Sequence, residues 1–472
     1  MATSTGYLPA DAIEGKDMLT KTCVSALLLV MTLGVSASAP AQSSHPAEDS
    51  QVSHHHRAHQ EAAATVTLDE LIKTAMAQNP SLQAARQTVG AKQARVLAEK
   101  TLPDPTLSFQ TMGQAIPFKL MQGDPSSGRT VSIQQDIPYP GKLELKGNIA
   151  NSEAEAEQWN YEQTRRQVMA DIKMAYYGLY LVYKSVEIVE KNRDLLRTMG
   201  RLSEARYQAA QGNQQDILKV QVEITKVIDK LTVLDQRRST TEALINSLLY
   251  RQPDTPLGRP AEFTKSELHY SLDQLNQLAQ SNSPKLKTQD REIHRNEYQV
   301  QLAKQEFYPD FSVGLSYVDR DEMREMYGLM VSVKLPVYFW RKQEPQLQSA
   351  KLNLDSAQKQ RDNLGSTIAY NIKEAYLTAT TADKLIQLYT TTAIPMAKLT
   401  LESSLASYQT GAGDSLSVIN NIVTLLDYEL KYHEAVIDFQ KALAQMEPIV
   451  GVDLTGPATR RSEIKHDHAA DK

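Results

Sequence analysis

The sequence predicts a mainly α-helical chain with a small β contribution: long helical rods joined to four short strands that supply part of a barrel shared between subunits. Three observations predict it. Between residues 142 and 209 there is no proline, and glycine stands only at 147, 178 and 200; at 1.5 Å per residue such a helix reaches about 100 Å, beyond any globular domain. Four segments alternate apolar and polar side chains with a period of two, the mark of strands whose two faces meet different surroundings. The order of features also repeats once at a period of about 200 residues, which indicates a tandem duplication.

The N-terminus reads as a targeting segment. Lys16 and Lys21 flank an apolar run from Cys23 to Val35, followed by the small-residue stretch Ser36-Ala37-Ser38-Ala39-Pro40-Ala41. That is the order of a secretory signal peptide over residues 1–41, with an Ala39-x-Ala41 cleavage pattern. Cys23 is the only cysteine and lies in the segment to be removed, so the exported chain needs no disulfide or thiolate. Residues 42–65 form a polar, His-rich lead and 453–472 a polar tail, both expected to be disordered. The formal net charge of −5 speaks against nucleic acid, which calls for a clustered basic excess.

The first repeat spans 66–265 and the second 266–452. Leu68-Asp69-Glu70-Leu71 leads to Asn79-Pro80-Ser81-Leu82, as Leu272-Asp273-Gln274-Leu275 leads to Ser283-Pro284-Lys285-Leu286. Leu102-Pro103-Asp104-Pro105 corresponds to Tyr308-Pro309-Asp310-Phe311, and Ile137-Pro138-Tyr139 to Leu335-Pro336-Val337. Tyr207 followed by Gly212 corresponds to Tyr408 followed by Gly413. Pro80 and Pro284 suit the first turn of a helix, where a missing N–H costs nothing. The first repeat then carries helices over about 142–209 and 215–250, the second over about 342–407 and 416–448, with Pro395 a kink. Apolar residues recur every three or four positions, as in Ile172, Tyr176, Leu179, Tyr183 and Val186, the spacing of helices coiled on neighbours.

The strands are expected near 106–112, 129–137, 310–317 and 327–335. Leu107, Phe109 and Thr111 alternate with Ser108, Gln110 and Met112; Phe311, Val313, Leu315 and Tyr317 alternate with Asp310, Ser312, Gly314 and Ser316. Lipid outside and water inside demand this pattern, at about ten residues per strand. Tyr308 before the third strand and Tyr338, Phe339 and Trp340 after the fourth stand where interfacial aromatics belong. Four strands are too few to close a barrel, since single-chain barrels need about eight. Copies must share it, and a homotrimer supplies twelve strands.

With these features assembled, residues 66–450 resemble the TolC-type outer-membrane efflux family. The specific matches are the helix-to-helix turns: Arg206-Tyr207-Gln208-Ala209-Ala210-Gln211-Gly212 running into Asp216-Ile217-Leu218, and Ser407-Tyr408-Gln409-Thr410-Gly411 running into Ser417-Val418-Ile419. The resemblance implies a trimer with a twelve-stranded outer-membrane barrel in lipid and a long α-helical tunnel in the periplasm. It also implies docking on an inner-membrane efflux pump through a periplasmic adaptor. The turns, with Tyr207, Gly212, Tyr408, Gly411 and Gly413, become the closing tips. Acidic residues ring that end in the family; Ser417 and Asn420 stand here at the usual aspartate positions, so Asp216, Asp414, Ser417 and Asn420 are the candidate constriction residues. Val337-Tyr338-Phe339-Trp340-Arg341-Lys342-Gln343 looks like the heavy-metal branch, associated with resistance-nodulation-division pumps.

Catalytic chemistry is not indicated: His433-Glu434 lacks the second histidine of a zinc-protease helix, and no phosphate loop or cysteine nucleophile appears. No resident cofactor is expected. His54, His55, His56 and His59 in the lead, and Met323, Met326 and Met330 beside the second strand pair, are candidate metal contacts, since imidazole and thioether suit transition-metal ions. The function expected is a passive exit duct, with heavy-metal cations the favoured cargo. Drug efflux and type I protein secretion are the alternatives within that class, and a periplasmic adaptor or coiled-coil scaffold those outside it.

Overall fold

The computed structural model describes residues 65–113, 120–121, 124–320 and 323–454. The signal peptide, the lead up to residue 64 with His54, His55, His56 and His59, and the tail from 455 onward lie outside the described residues.

Each half opens with two short helices. α1 (Leu68–Gln78) and α5 (Leu272–Asn282) begin with the same device, a reciprocal capping box: Thr67 with Glu70 and Ser271 with Gln274. The side chain at the N-cap and the one three residues on each satisfy a backbone N–H that a helix start leaves open. α2 (Pro80–Lys100) and α6 (Pro284–Gln305) follow at once, each with proline in its first turn.

β1 (Thr106–Met112) and β2 (Gly128–Ile137) come next in the first half, β3 (Asp310–Arg320) and β4 (Met323–Lys334) in the second. They form one antiparallel sheet in the order β1-β2-β3-β4. Gln135, the polar residue that interrupts the apolar face of β2, donates its amide to the Pro103 carbonyl at 2.7 Å, so its polar end is satisfied at the sheet margin.

α3 (Lys142–Gln208) is one continuous helix of 67 residues, and α4 (Gln214–Leu248) runs back along it. In the second half α7 (Gln343–Leu388) and α8 (Ile394–Gln409) are separated by one π-helical turn, Tyr389–Ala393, before α9 (Ser415–Val450) returns. The cause is Pro395, just past that turn. It has no N–H to give and its ring crowds the carbonyl four residues back, and the wider π turn, in which the Ile394 N–H reaches the Tyr389 carbonyl, absorbs the mismatch.

Three apolar clusters hold the rods together. One joins α1, α3 and the end of α4 around Ile172, Leu179 and Ile245; a second joins α5, α7 and α9 around Ile372, Leu443 and Met446. The third, towards the turns, joins Val189, Leu196, Val220 and Val227 to Leu401, Val418, Ile422 and Leu426, so the two hairpins pack on each other. Among the described residues no helix is long and apolar enough to cross a membrane.

Candidate channel wall and helical tips

The sheet register sorts side chains by chemistry. Leu107, Ile133, Leu315 and Leu329 lie in one row across all four strands, and Phe109, Val131, Tyr317 and Tyr327 in another. The rows between them point to the other face: Ser108, Ser132, Ser316 and Gly328 in one, Gln110, Thr130, Val318 and Met326 in the next. Ser108 and Ser132 join hydroxyls at 2.8 Å. The apolar face is bare: Leu107 is 72% and Leu329 71% exposed. A contiguous apolar face of this kind marks a surface made for lipid or another protein. Within one chain β1 and β4 each pair along one edge only, leaving a row of backbone donors and acceptors open on either side.

Where the strands meet the rods, Lys142, buried at the first position of α3, sits 2.8 Å from the Asp310 carboxylate at the head of β3. Asp310 also accepts the Tyr139 N–H at 2.9 Å. Aromatic rings gather at this level. Tyr308 stacks on Tyr139 with centroids 4.6 Å apart, and Tyr338 and Phe339 each meet Trp340 edge-on, at 6.2 Å and 5.1 Å. Tyr308, Tyr338, Phe339 and Trp340 are all exposed.

At the opposite end both helix-to-helix turns close in the same way. The Gln211 N–H returns to the Arg206 carbonyl at 2.8 Å and the Ala412 N–H to the Ser407 carbonyl at 3.0 Å. The residue between must take a left-handed backbone, Ala210 at φ 58° in the first turn and Gly411 at φ 85° in the second. The two tyrosines that match in sequence part company here. Tyr408 is 2% exposed and Tyr207 48%. Tyr408 is enclosed because Arg206 reaches across from the other hairpin, donating to its carbonyl oxygen and lying over its ring at 4.5 Å. The Ser203 hydroxyl meets the Tyr408 hydroxyl at 3.1 Å. Arg206 also donates to the Gln211 carbonyl at 3.1 Å, so one guanidinium ties its own turn to the neighbouring one.

The candidate constriction residues divide between these tips. Asp216 lies on the first turn of α4, partly buried. Asp414 is the N-cap of α9, and Ser417 and Asn420 are exposed one turn apart on that helix. Asp414 and Ser417 are brought together: a hydrogen bond from the Ser417 side chain holds the Asp414 carboxyl below its ordinary range. Gly212 and Gly413 close their turns against the ends of α3 and α8. Of the candidate metal contacts, Met326 and Met330 fall on the polar face of β4, opposite Val318 and Gly314, while Met323 pairs with Arg320 beyond a register shift. Among the described residues no group of three or more His, Cys, Asp or Glu could hold an ion.

Two groups of residues were not legible in the sequence. Arg206 and Ser203 stand beside the Tyr207 motif, but nothing local says that they grip Tyr408. Lys173 on α3 sits 2.6 Å from Glu447 near the end of α9 and 3.1 Å from Asp453, and Glu447 also accepts the Leu454 N–H at 2.9 Å. These partners are separated by more than half the chain, and no spacing rule links them.

Residues 71–249 and 275–452 match the outer membrane efflux protein family, each half separately. The chain is similar to the cobalt-zinc-cadmium resistance protein CzcC of Cupriavidus metallidurans, 22% identical over 402 residues, which covers 83% of this chain and 91% of that one. Its fold is similar to that of the outer membrane protein VceC of Vibrio cholerae, with a TM-score of 0.70, 17% identity, and coverage of 82% and 96%. CusC, solved for its folding and transmembrane channel formation, gives a TM-score of 0.70 at 13% identity, with coverage of 83% and 93%. A duplicated chain of long paired rods, carrying a sheet with one bare apolar face, therefore has its sequence and fold counterparts among channel proteins. The chain belongs to the outer membrane efflux protein family.

Proposed function

We propose that three copies close their sheets into one twelve-stranded barrel and their rods into a periplasmic tunnel, making the exit duct of a tripartite efflux system. The observation that carries this is the sheet itself, open at both edges and apolar on one face. An edge strand left bare in water is a pairing hazard, and ring closure between copies removes it. The apolar rows then face lipid and the Ser, Gln and Thr rows face a water-filled bore, with Tyr308, Tyr338, Phe339 and Trp340 at one interfacial level. An adaptor protein and an inner-membrane pump supply cargo and energy, and the channel conducts passively.

Heavy-metal cations are the proposed cargo, supported by the resemblance to a protein named for cobalt, zinc and cadmium resistance. The tips form the closed end, with Asp216, Asp414, Ser417 and Asn420 lining it and Arg206 on Tyr408 latching one hairpin to the other. In a deletion strain, loss of tolerance to cobalt, zinc or cadmium that the intact gene restores would support the cargo. Unchanged tolerance to every metal together with lost drug tolerance would overturn it. For the closed end, an Asp414→Ala/Asn420→Ala double variant should change single-channel conductance of the purified trimer in a planar bilayer, and an unchanged trace would count against these residues.

A further inference from the structure

Resting on the shared-barrel reading, we infer that Met326 and Met330 of one copy and Met112 of the next form a thioether site for a soft monovalent cation, Cu(I) or Ag(I). One such site lies at each seam between copies.

The duplication supplies the register of that seam. Pro103-Asp104 matches Pro309-Asp310 and Pro138 matches Pro336, so β1 is the counterpart of β3 and β2 of β4. The contact of β2 with β3 inside the chain is therefore a template for β4 against β1 of a neighbour. Inside the chain Gln134 faces Gly314, Ser132 faces Ser316 and Thr130 faces Val318. Carried to the seam, these pairs become Ser332 opposite Ser108, Met330 opposite Gln110, and Gly328 opposite Met112. The odd-numbered positions agree: Ile133 with Leu315 becomes Val331 with Phe109, so apolar side chains stay on the apolar face. Repeated around three copies, this register tilts the strands by about 35°, within the range of closed barrels.

Met112 thus stands across from Gly328, with Met326 and Met330 two places to either side on the same polar face. Diagonal neighbours on paired strands lie about 7–8 Å apart, within reach of long side chains. Gly328 itself puts no side chain between them, and only the small Ser316 hydroxyl leans over that position, 2.5 Å from where a Cβ would stand. In the single chain all three methionines are about half exposed, at 52% for Met112, 49% for Met326 and 52% for Met330. The terminal methyl of Met330 lies over Gly314, and three rotatable bonds let it turn to the seam. Neutral sulfur ligands select soft Cu(I)-like ions over the harder divalent ones. A site without charge holds such an ion briefly and lets it leave, which suits a conduit.

Silver ion is the probe. Purified trimer in detergent and chloride-free nitrate buffer is dialysed against silver nitrate, and bound silver is counted by mass spectrometry. The wild type should bind one more ion per chain than the Met112→Leu/Met326→Leu/Met330→Leu variant, and each single leucine should weaken that binding about ten-fold or more. Equal binding by wild type and triple variant overturns the site. The register is checked in a Cys23→Ser background: Ser332→Cys with Ser108→Cys should cross-link between copies, while Ser332→Cys with Gln110→Cys should not. Within one chain the first pair is three strand spacings across and four residues along the sheet, about 20 Å, too far for a disulfide. Cross-linking by the second pair alone overturns the register. A protein that is not trimeric by light scattering overturns the channel reading itself, a failure distinct from a trimer that ignores silver.

Discussion

Glu447 shows what a single buried carboxylate does to these rods. Burial pushes it up to about 7, and Asp453 adds to that while Lys173 opposes it. In the unfolded chain it returns to the ordinary carboxylate range near 4.5. Its folded value is the higher one, so the folded state holds the extra proton between the two values. The stability Glu447 contributes is therefore complete below the unfolded value and is lost as pH rises through about 7. Glu447→Gln should flatten this dependence, so that denaturant midpoints of wild type and variant converge or cross between pH 5 and 8; parallel curves would refute the assignment. Ala210 offers a second test. It holds a left-handed backbone where the matching turn has Gly411, and glycine there should stabilise the turn by about 0.5–1 kcal/mol. Gly411→Ala should cost a similar or larger amount, about 1–2 kcal/mol, read from the same midpoints.

At the level of elements, the two hairpins are alike in sequence and unlike in environment. Tyr207 and Tyr408 close equivalent turns, yet only Tyr408 is enclosed, because α3 and α8 approach so that Arg206 falls across it. Tyr408→Phe should remove the contact with Ser203 and cost about 1 kcal/mol. Arg206→Ala loses the carbonyl contact and the ring contact together, so it should loosen the tips more. Faster amide exchange in residues 203–215 and 405–418 would report that loosening. The turns themselves were readable, since Gly212, Gly411 and Gly413 punctuate helices that otherwise carry no stop signal. The grip between them was not, because a side chain reaching from one hairpin to another leaves no periodic trace in either.

For the molecule as a whole, the faces of the sheet decide what surrounds it. Leu329→Arg, on the bare apolar face, should cost about 2–4 kcal/mol at the membrane midplane and reduce the yield of assembled protein in outer-membrane fractions. Ser316→Arg, one row away on the polar face, should assemble normally and lower conductance instead. Equal effects from the two would mean that the faces do not meet different solvents. The alternation was plain from Leu107, Phe109, Leu315 and Tyr317. The strand order, and the fact that β1 and β4 are the two open edges, came only with the paired registers.

Local rules alone determine much of this protein. A run without proline dictates a rod, a period of two dictates a two-faced strand, and a repeated order of Pro-Asp and Tyr-Gly marks two equivalent halves. These properties depend on neighbours close along the chain. Tertiary structure alone decided which tyrosine is gripped and that Lys173 meets Glu447 across 274 positions. Each of those depends on the approach of segments far apart in the chain, where packing, and not periodicity, selects the partner.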